Sequence, residues 1–340
     1  MRRIAQSIMN ALHEIYDFLF IVLMLLLLVF AFYAKWDSQQ VYTKADPVQY
    51  LQYKPSPPEM VPFEELQKIN SDVLGWLTVY DTSIDYPLVQ GKDNNYYLNH
   101  NPKKEPEVSG SLYLDYRNDK QFKDFNTIIY GHHMEQSKMF GDLDKFLDED
   151  FWNSHEYGNL IYDAQNHGLQ FIAMLQVDAY DWVTYNPAVN GETNRIKYIN
   201  HLYETAKYVR GIDTETLRNM QKQLEKTEED DTPVMRTSPL TPDDHIVLLS
   251  TCSADITNGR FILVAKLLDS PVENPFPDEE HTIVEGIDTD KIVYYLGKWS
   301  LQTWIIALLL LILFMLIMYL LSRRRDRRKN QGEVTHDQDE

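Results

Sequence analysis

Cysteine is almost absent from this sequence, since Cys252 is the only one among 340 residues. A single cysteine excludes an intramolecular disulfide and every zinc site built on two or more thiolates. Basic residues are also scarce, with 32 Lys and Arg against 51 Asp and Glu and a formal charge of -19. This balance argues against nucleic acid as a partner, because a polyanion is bound by clustered Lys and Arg.

Charged residues are missing from two long apolar runs, 18–34 and 304–321. With its edge residues each run reaches the length of about 20 residues that spans a bilayer, which predicts transmembrane helices at 15–34 and 303–322. A buried core helix is the alternative for both, but it would carry a polar stripe. A cleaved signal peptide is the alternative for the first run, and the bulky Phe32 does not suit the small residues of a cleavage site.

Basic residues flank both runs on their outer ends. Arg2 and Arg3 precede the first run, and five arginines and a lysine lie within 323–329. Positive charge in short flanking segments marks the cytoplasmic side. We therefore expect a two-pass protein of the cell membrane, in contact with the lipid bilayer, with both termini cytoplasmic and the intervening domain outside the cell.

The predicted organisation has seven parts. A stalk is expected before the folded domain because four prolines between 55 and 62 keep a chain extended. The parts are a cytoplasmic N-terminus (1–14), a first span (15–34), the extracellular stalk (35–62), a catalytic domain (63–270), an extracellular juxtamembrane linker (271–302), a second span (303–322) and a basic then acidic cytoplasmic tail (323–340).

Short β-branched or aromatic segments bounded by turn residues dominate the central domain. Helices are expected at 63–70, over Ile196–Arg210, where apolar residues recur at helical spacing, and around Leu217–Leu224. Many short strands with few helices predict a mainly β, α+β fold built on a barrel or sandwich. The predicted strands are Trp76–Tyr80, Ile84–Val89, Ser111–Leu114, Thr127–Tyr130, Gln170–Val177, Ile246–Leu249 and Phe261–Leu267.

Cys252 follows directly on an apolar strand, where an exposed nucleophile could stand. A thiol reacts as its thiolate, which a nearby cation favours. Arg260 opens the next predicted strand, and antiparallel pairing of the two strands would bring it near Cys252. His132, after the strand Thr127–Tyr130 and the flexible Gly131, is a candidate base, whereas His245 lies too far along the cysteine strand. A buried cysteine with a surface arginine remains the alternative.

Three separated motifs resemble the sortase family. Leu249–Cys252, followed by Gly259-Arg260-Phe261, resembles the TLxTC…R signature, with Leu248 in place of the usual Thr. Residues 130–134 and 139–143 resemble the segment of the catalytic histidine. The resemblance covers most of 63–268 and implies an eight-stranded sortase-type β-barrel, flanked here by N- and C-terminal transmembrane helices. Further similar segments are 75–76, 84–91, 95–98 and 110–115.

Within the family the sequence is most similar to class B, whose members carry a helical insertion before the cysteine strand. The second span at 303–322 departs from class B and is more usual in class C, the pilin polymerases. Class C members also have an Asp-Pro-aromatic lid, whereas Val48 follows Asp46-Pro47 here.

The resemblance implies a cysteine transpeptidase that needs no metal or other cofactor. Cys252 would form a thioester with a C-terminal sorting motif of an exported protein, His132 would transfer protons, and Arg260 would hold the substrate and the oxyanion. The resemblance further implies that Asn94, Leu98, Ser250 and Thr251 bind substrate, with the loop Tyr180–Asn186 as the opposite wall.

The sequence is compatible with several functions. The amine that resolves the thioester comes from a peptidoglycan peptide in a wall-anchoring enzyme and from a pilin lysine in a pilin-polymerising one. A membrane-tethered cysteine peptidase would use water instead. The alternative that is not an enzyme is an inactive scaffold protein with the same fold.

Overall fold

The structure is a computed structural model, and it describes residues 2–56, 60–224, 238–252 and 259–276. The described part divides into two units, with the boundary between Gln40 and Val41. The predicted second span at 303–322, most of the linker before it and the tail after it lie outside the described residues.

The N-terminal unit is part of one long helix, α1 (Arg2–Lys44). Within the described residues, the segment Ala11–Lys44 is the one helix long and apolar enough to cross a membrane, with a mean hydropathy of 2.8 over its most apolar window. The predicted apolar N-terminal helix is thereby confirmed. Its length and composition suit a membrane anchor and a signal sequence alike.

Among its described residues, the second unit contains ten strands and four further α-helices. The helices are α2 (Val61–Ile69), α3 (Glu149–Ser154), α4 (Glu192–Glu204) and α5 (Thr214–Leu224). The strands are β1 (Val73–Val79), β2 (Asp85–Val89), β3 (Leu112–Leu114), β4 (Asn126–Met134), β5 (Lys138–Met139), β6 (Tyr157–Tyr162), β7 (Gln165–Asp178), β8 (Ala206–Val209), β9 (Ile246–Cys252) and β10 (Gly259–Leu267).

Eight of these strands close into a barrel. They pair in the order β10-β9-β4-β3-β2-β1-β6-β7, and β7 pairs back onto β10 along nine residues of the latter. The pairs β2–β3 and β4–β9 are parallel and the others around the barrel are antiparallel. This mixed eight-stranded barrel confirms the predicted fold, while β5 and β8 are additional strands at its edges.

The barrel strands are buried on both faces. One apolar cluster includes Leu77, Phe171 and Leu249, and a second, beneath α4, includes Leu248 and Ile199. Alternate residues of β9 thus enter different clusters, which explains its unbroken apolar sequence.

Three local predictions need correction. The chain predicted as an extended stalk, 35–62, is helical to Lys44 and then forms the 3₁₀ turns Pro47–Gln49 and Leu51–Tyr53. Tyr50 in this segment is buried against a cluster on the barrel. Burial of this aromatic side chain stabilises the folded segment, whereas an extended linker would leave the ring exposed to water.

The predicted helix Ile196–Arg210 ends at Glu204, and Ala206–Val209 forms β8 against the edge of β7. Ala206 and Val209 fit the helical stripe of the sequence but are buried by this pairing instead. The strand β6 was not predicted at all.

Gly131 does not end a strand as expected, because β4 continues to Met134. A Cβ at Gly131 would lie 2.4 Å from a side-chain carbon of Leu112 and 2.8 Å from one of Phe140. The glycine is therefore required by close packing inside the barrel, and His132 lies on the strand itself.

Candidate active site

The floor of the site is the end of the parallel pair β4–β9. In this ladder Tyr130 pairs with Ser250, Gly131 with Thr251 and His132 with Cys252. Neighbouring strands lie about 4.8 Å apart. The fold thus places the backbones of the two predicted catalytic residues side by side, although 120 positions separate them in the sequence.

His132 is half-buried, and its Nε2 lies 2.6 Å from the carbonyl oxygen of Leu98. A carbonyl oxygen can only accept a hydrogen bond, so Nε2 carries a proton and donates it. This bond fixes the ring against the 3₁₀ turn Tyr96–Leu98. An oriented imidazole beside the cysteine strand is suited to proton transfer.

Arg260 lies on β10, on the other side of β9. The last pair of the antiparallel register is Ile262 with Ser250, and Arg260 lies two residues before Ile262 near the start of β10. The Nη1 of Arg260 donates to the carbonyl oxygen of Thr251 at 2.9 Å. The expected antiparallel pairing of these strands is therefore confirmed, and a fixed cation lies next to the backbone of the cysteine.

A groove of about 790 Å³ opens above these strand ends. It gathers every site residue predicted from the sequence except Cys252, which the structure describes through its backbone. Those lining residues are His132, Arg260, Asn94, Leu98, Ser250 and Thr251.

The opposite wall of the groove is the segment Ala179–Asn186, called the wall loop from here on. It lines the groove with five residues: Ala179, Tyr180, Trp182, Tyr185 and Asn186. Tyr180 and Trp182 are 79% and 80% exposed, so this wall presents aromatic rings to solvent at the groove mouth. The loop Tyr180–Asn186, predicted as the opposite wall, lines the groove.

Side chains from other elements hold the backbone of the wall loop. The buried Asn126 donates through Nδ2 to the carbonyl oxygens of Asn186 at 2.8 Å and Thr184 at 3.3 Å. The hydroxyl of Tyr198, on α4, donates to the same Thr184 oxygen at 2.8 Å. Tyr185 adds a hydroxyl contact of 2.9 Å to the Oγ of Ser250 on the floor.

An ion pair ties the wall loop to helix α4. The Nε2 of His201 lies 2.8 Å from Asp181 Oδ2. Burial raises the pKa of Asp181, but hydrogen bonds from His201 and Thr184 outweigh it and lower the pKa to about 2. Burial lowers the pKa of His201, and the bond to Asp181 outweighs it, so that this pKa is raised. Each partner therefore favours the charged form of the other.

A carboxylate network that the sequence did not reveal lies directly after β3 and includes three residues that line the groove, Asn94, Arg117 and Tyr130. Asp115 is fully buried and accepts hydrogen bonds from Arg117, Asn94 and Tyr130. Burial raises the pKa of Asp115, but the bonds from Arg117 and Asn94 outweigh it and keep the pKa below its usual value. The pattern Asp115-x-Arg117 directly after a strand is the sequence signal from which this network could have been predicted.

The barrel and this groove define a class of protein whose cysteine and histidine lie on adjacent parallel strands. No family model matches the chain. Sortase B of Listeria monocytogenes is 36% identical over 208 residues, 60% of this chain and 73% of that protein. Sortase B of Staphylococcus aureus is 29% identical over 208 residues, 61% of this chain and 74% of that protein.

Among solved structures, a mutant form of Clostridium perfringens sortase B has a TM-score of 0.54 and 29% identity. The match covers 66% of this chain and 97% of that one. The chain belongs to the sortase family and is similar to its class B members.

Proposed function

We propose that the protein is a membrane-anchored cysteine transpeptidase that joins exported proteins to an amine of the cell wall. Membership of the sortase family supports the reaction type, as sortase B relatives share the barrel and its sequence. The observation that carries the proposal is the register of β4 and β9, which pairs His132 with Cys252.

The first half-reaction is attack of the Cys252 thiolate on the carbonyl carbon of Thr in a C-terminal sorting motif. The C–N bond of the motif breaks, a C–S bond forms, and the C-terminal fragment leaves as an amine. In the second half-reaction an acceptor amine attacks the thioester, the C–S bond breaks, and a new amide forms. A thioester is more reactive toward amines than an oxygen ester, which suits cysteine to this transfer.

His132 moves the protons of both half-reactions. It gives a proton to the leaving amine and takes one from the incoming amine. Its bond to the carbonyl oxygen of Leu98 holds the ring in one orientation through both steps. General acid–base transfer of this kind contributes roughly 10²- to 10⁴-fold to rate.

Arg260 stabilises the negative charge that develops on the substrate oxygen. Its Nη1 is occupied by the carbonyl of Thr251, which aims the remaining guanidinium N–H groups from a fixed position beside Cys252. A preoriented donor costs no reorganisation when the tetrahedral intermediate forms. The same cation favours the thiolate over the thiol.

The other groove residues bind the sorting peptide. Leu98 offers an apolar surface and Asn94 a polar one, whereas the buried Ser250, whose hydroxyl contacts Tyr185, and Thr251 form the floor before the nucleophile. No cofactor has a role in these steps.

Membrane anchoring suits this chemistry because the exported substrate and the wall precursor meet at the outer face of the membrane. The apolar helix α1 supports an N-terminal anchor. We further propose the two-pass topology expected from the sequence, with both termini cytoplasmic. Tethering raises the effective concentration of the partners without added contacts.

Product analysis with a sorting-type peptide tests the function. We expect cleavage after Thr, and with an added amine, formation of the amide at the expense of the free acid. Cys252→Ala is expected to abolish both products. Cleavage that yields free acid alone at every amine concentration would identify a peptidase, and no cleavage by the wild type would remove the enzymatic assignment.

A further inference from the structure

The strand that carries His132 ends in a hairpin. The end of β4 turns back into the short strand β5, and Met139 of β5 pairs with His133 of β4. Directly after β5, the backbone N–H of Phe140 donates to the carbonyl oxygen of His132 at 2.9 Å. The backbone position of His132 therefore depends on residues 132–140, called the histidine hairpin from here on.

The histidine hairpin has a backbone conformation that its own residues disfavour. Gln136, Ser137 and Met139 have φ angles of 57°, 56° and 52°. Residues other than glycine rarely adopt this left-handed region, because their Cβ crowds the following carbonyl group. Such a conformation persists where the surrounding structure holds it. The hairpin thus needs support from outside itself.

Tyr86 supplies one support from the barrel. Its side chain is buried on β2, and its hydroxyl oxygen accepts a hydrogen bond from the backbone N–H of Met139 at 3.0 Å. The same hydroxyl donates to the carbonyl oxygen of Ala45 at 2.8 Å. Burial raises the pKa of Tyr86, so the hydroxyl keeps the proton that it donates. One phenol therefore joins the histidine hairpin to the residue that follows α1.

An ion pair joins the same two parts of the chain. The Nζ of Lys138, on β5, donates to Oδ2 of Asp46 at 2.6 Å, and both side chains are partly buried. The other carboxylate oxygen of Asp46 accepts from the backbone N–H of Val48 at 3.0 Å, which fixes the carboxylate at the start of a 3₁₀ turn. Residues 45–54, called the docking segment from here on, thus hold β5 through two adjacent contacts.

We propose that the docking segment positions the imidazole of His132 for proton transfer. Tyr86, Asp46 and Lys138 are the positioning residues, and they act through the backbone of the histidine hairpin. The groove is lined by other residues, so these three act on the imidazole and not on the substrate. The inference rests on the proposed transpeptidase function, and it links the catalytic histidine to the part of the chain that leaves the apolar helix.

The test measures kcat, KM and the unfolding temperature of the full chain in detergent micelles, with a sorting-type peptide as substrate. A sorting-type peptide that carries a thiol-reactive group counts the active sites, so that kcat refers to folded enzyme. Tyr86→Phe removes only the hydroxyl. Because a misplacement of about 1 Å can cost roughly 10²-fold in rate, we expect kcat per active site to fall about tenfold, with KM changed less than about twofold.

Tyr80→Phe is the matched control for this variant. Tyr80 also donates its hydroxyl to a backbone carbonyl oxygen, that of Val272, at 2.7 Å. Both residues of this contact lie outside the histidine hairpin. We expect Tyr80→Phe to keep the kcat of the wild type even if its unfolding temperature falls.

The ion pair supplies a second variant that serves even if Tyr86→Phe fails to fold. Lys138→Met is expected to lower kcat per active site several-fold, and Lys138→Arg, which can keep the pair with Asp46, to restore most of the loss. Lys54→Met is the matched control, because Lys54 binds Asp85 on β2 at 2.7 Å. This control loosens the docking segment without removing a contact to the hairpin, and we expect it to retain kcat.

Wild-type kcat per active site in folded Tyr86→Phe, or in folded Lys138→Met, would overturn the positioning role and leave the transpeptidase intact. An equal fall in Lys54→Met and Lys138→Met would overturn it as well, since attachment of the docking segment alone would then explain the loss. A fall that disappears when kcat is expressed per active site would show an effect on stability only and would also overturn it. A wild-type enzyme that cleaves no peptide would instead remove the proposed function and this inference with it.

Discussion

The floor and the wall of the groove are built in different ways. The floor is a ladder of backbone hydrogen bonds that aligns β4, β9 and β10 and sets His132 in register with Cys252, and the side chain of Arg260 binds the carbonyl of Thr251 beside them. The wall loop has no such ladder, and its carbonyl groups are held by the side chains of Asn126, Tyr198 and Arg117.

We infer from this difference that the floor serves the chemical reaction and the wall serves substrate recognition. A strand ladder tolerates little displacement, because a shift of one residue would reverse the side-chain directions. An irregular loop held by a few side chains can change with one substitution. We therefore expect floor variants to act on kcat and wall variants to act mainly on KM or stability.

After replacement of Cys252 itself, the largest effect is expected from His132→Asn. Loss of the proton-transfer group should lower kcat by about 10²- to 10⁴-fold, with little change in KM. Steady-state kinetics with a sorting-type peptide measures this. His133→Asn is the matched control, because His133 is the next residue and pairs with Asp144 away from the groove; an equal loss in both variants would contradict the role of His132.

The next effect is expected from Arg260→Lys. A lysine keeps the positive charge but cannot both bond the Thr251 carbonyl and present further N–H groups to the oxyanion. We expect kcat to fall about 10²-fold, with unfolding temperature close to that of the wild type. Arg218→Lys, at an exposed arginine of α5, provides the comparison, and a purely KM effect at position 260 would speak against oxyanion stabilisation.

On the wall, Asn126→Ala removes the donor to Asn186 and Thr184. The Thr184 oxygen keeps its bond from Tyr198, but the Asn186 oxygen loses its donor. We therefore expect the free energy of unfolding to fall by about 1 kcal/mol and KM to rise several-fold. Chemical denaturation and steady-state kinetics measure the two effects. Asn190→Ala, at an exposed asparagine nearby, should change neither. A fall in kcat alone would show that the floor, and not the wall, had moved.

The smallest effect concerns pH and the pair Asp181–His201. Because the pKa of His201 is raised in the folded state, its stabilisation is present below its ordinary pKa and is lost as pH rises through the raised value. The lowered pKa of Asp181 gives stabilisation that is present above 3.8 and lost as pH falls toward about 2. The ion pair therefore stabilises the wall most between these limits.

We expect the KM of the wild type to rise as pH increases through the raised pKa of His201, and His201→Gln to make this rise shallower. The comparison is the KM–pH profile of both proteins against His245→Gln, a variant of an exposed histidine. Profiles of the same shape in wild type and His201→Gln would show that this pair does not control the wall.

The same division explains what could be predicted from sequence. The apolar strands before His132 and Cys252 and the start of β10 at Arg260 carry local signals, so the barrel and its floor were accessible. The wall loop was predicted from the family resemblance, but the side chains that hold it were not predicted. Asn126 and Asn186 lie 60 residues apart, and no local pattern links a buried amide to the loop that it will hold.

The sequence pattern also led to a wrong prediction where the same spacing of apolar residues fits both a helix and a strand. The stripe from Ile199 to Val209 fits a helix throughout, yet the edge of β7 takes up Ala206–Val209 as a strand. Arg117 was overlooked for a related reason, since its importance depends on Tyr185, 68 residues away.

The role of Cys252 as the residue that carries the acyl group is tested most directly by intact-protein mass spectrometry of the enzyme mixed with a sorting-type peptide. We expect the wild type to gain the mass of the peptide up to Thr, to lose it on treatment with hydroxylamine, and Cys252→Ala to gain nothing. An adduct that persists in Cys252→Ala, or product formation by that variant, would contradict the mechanism.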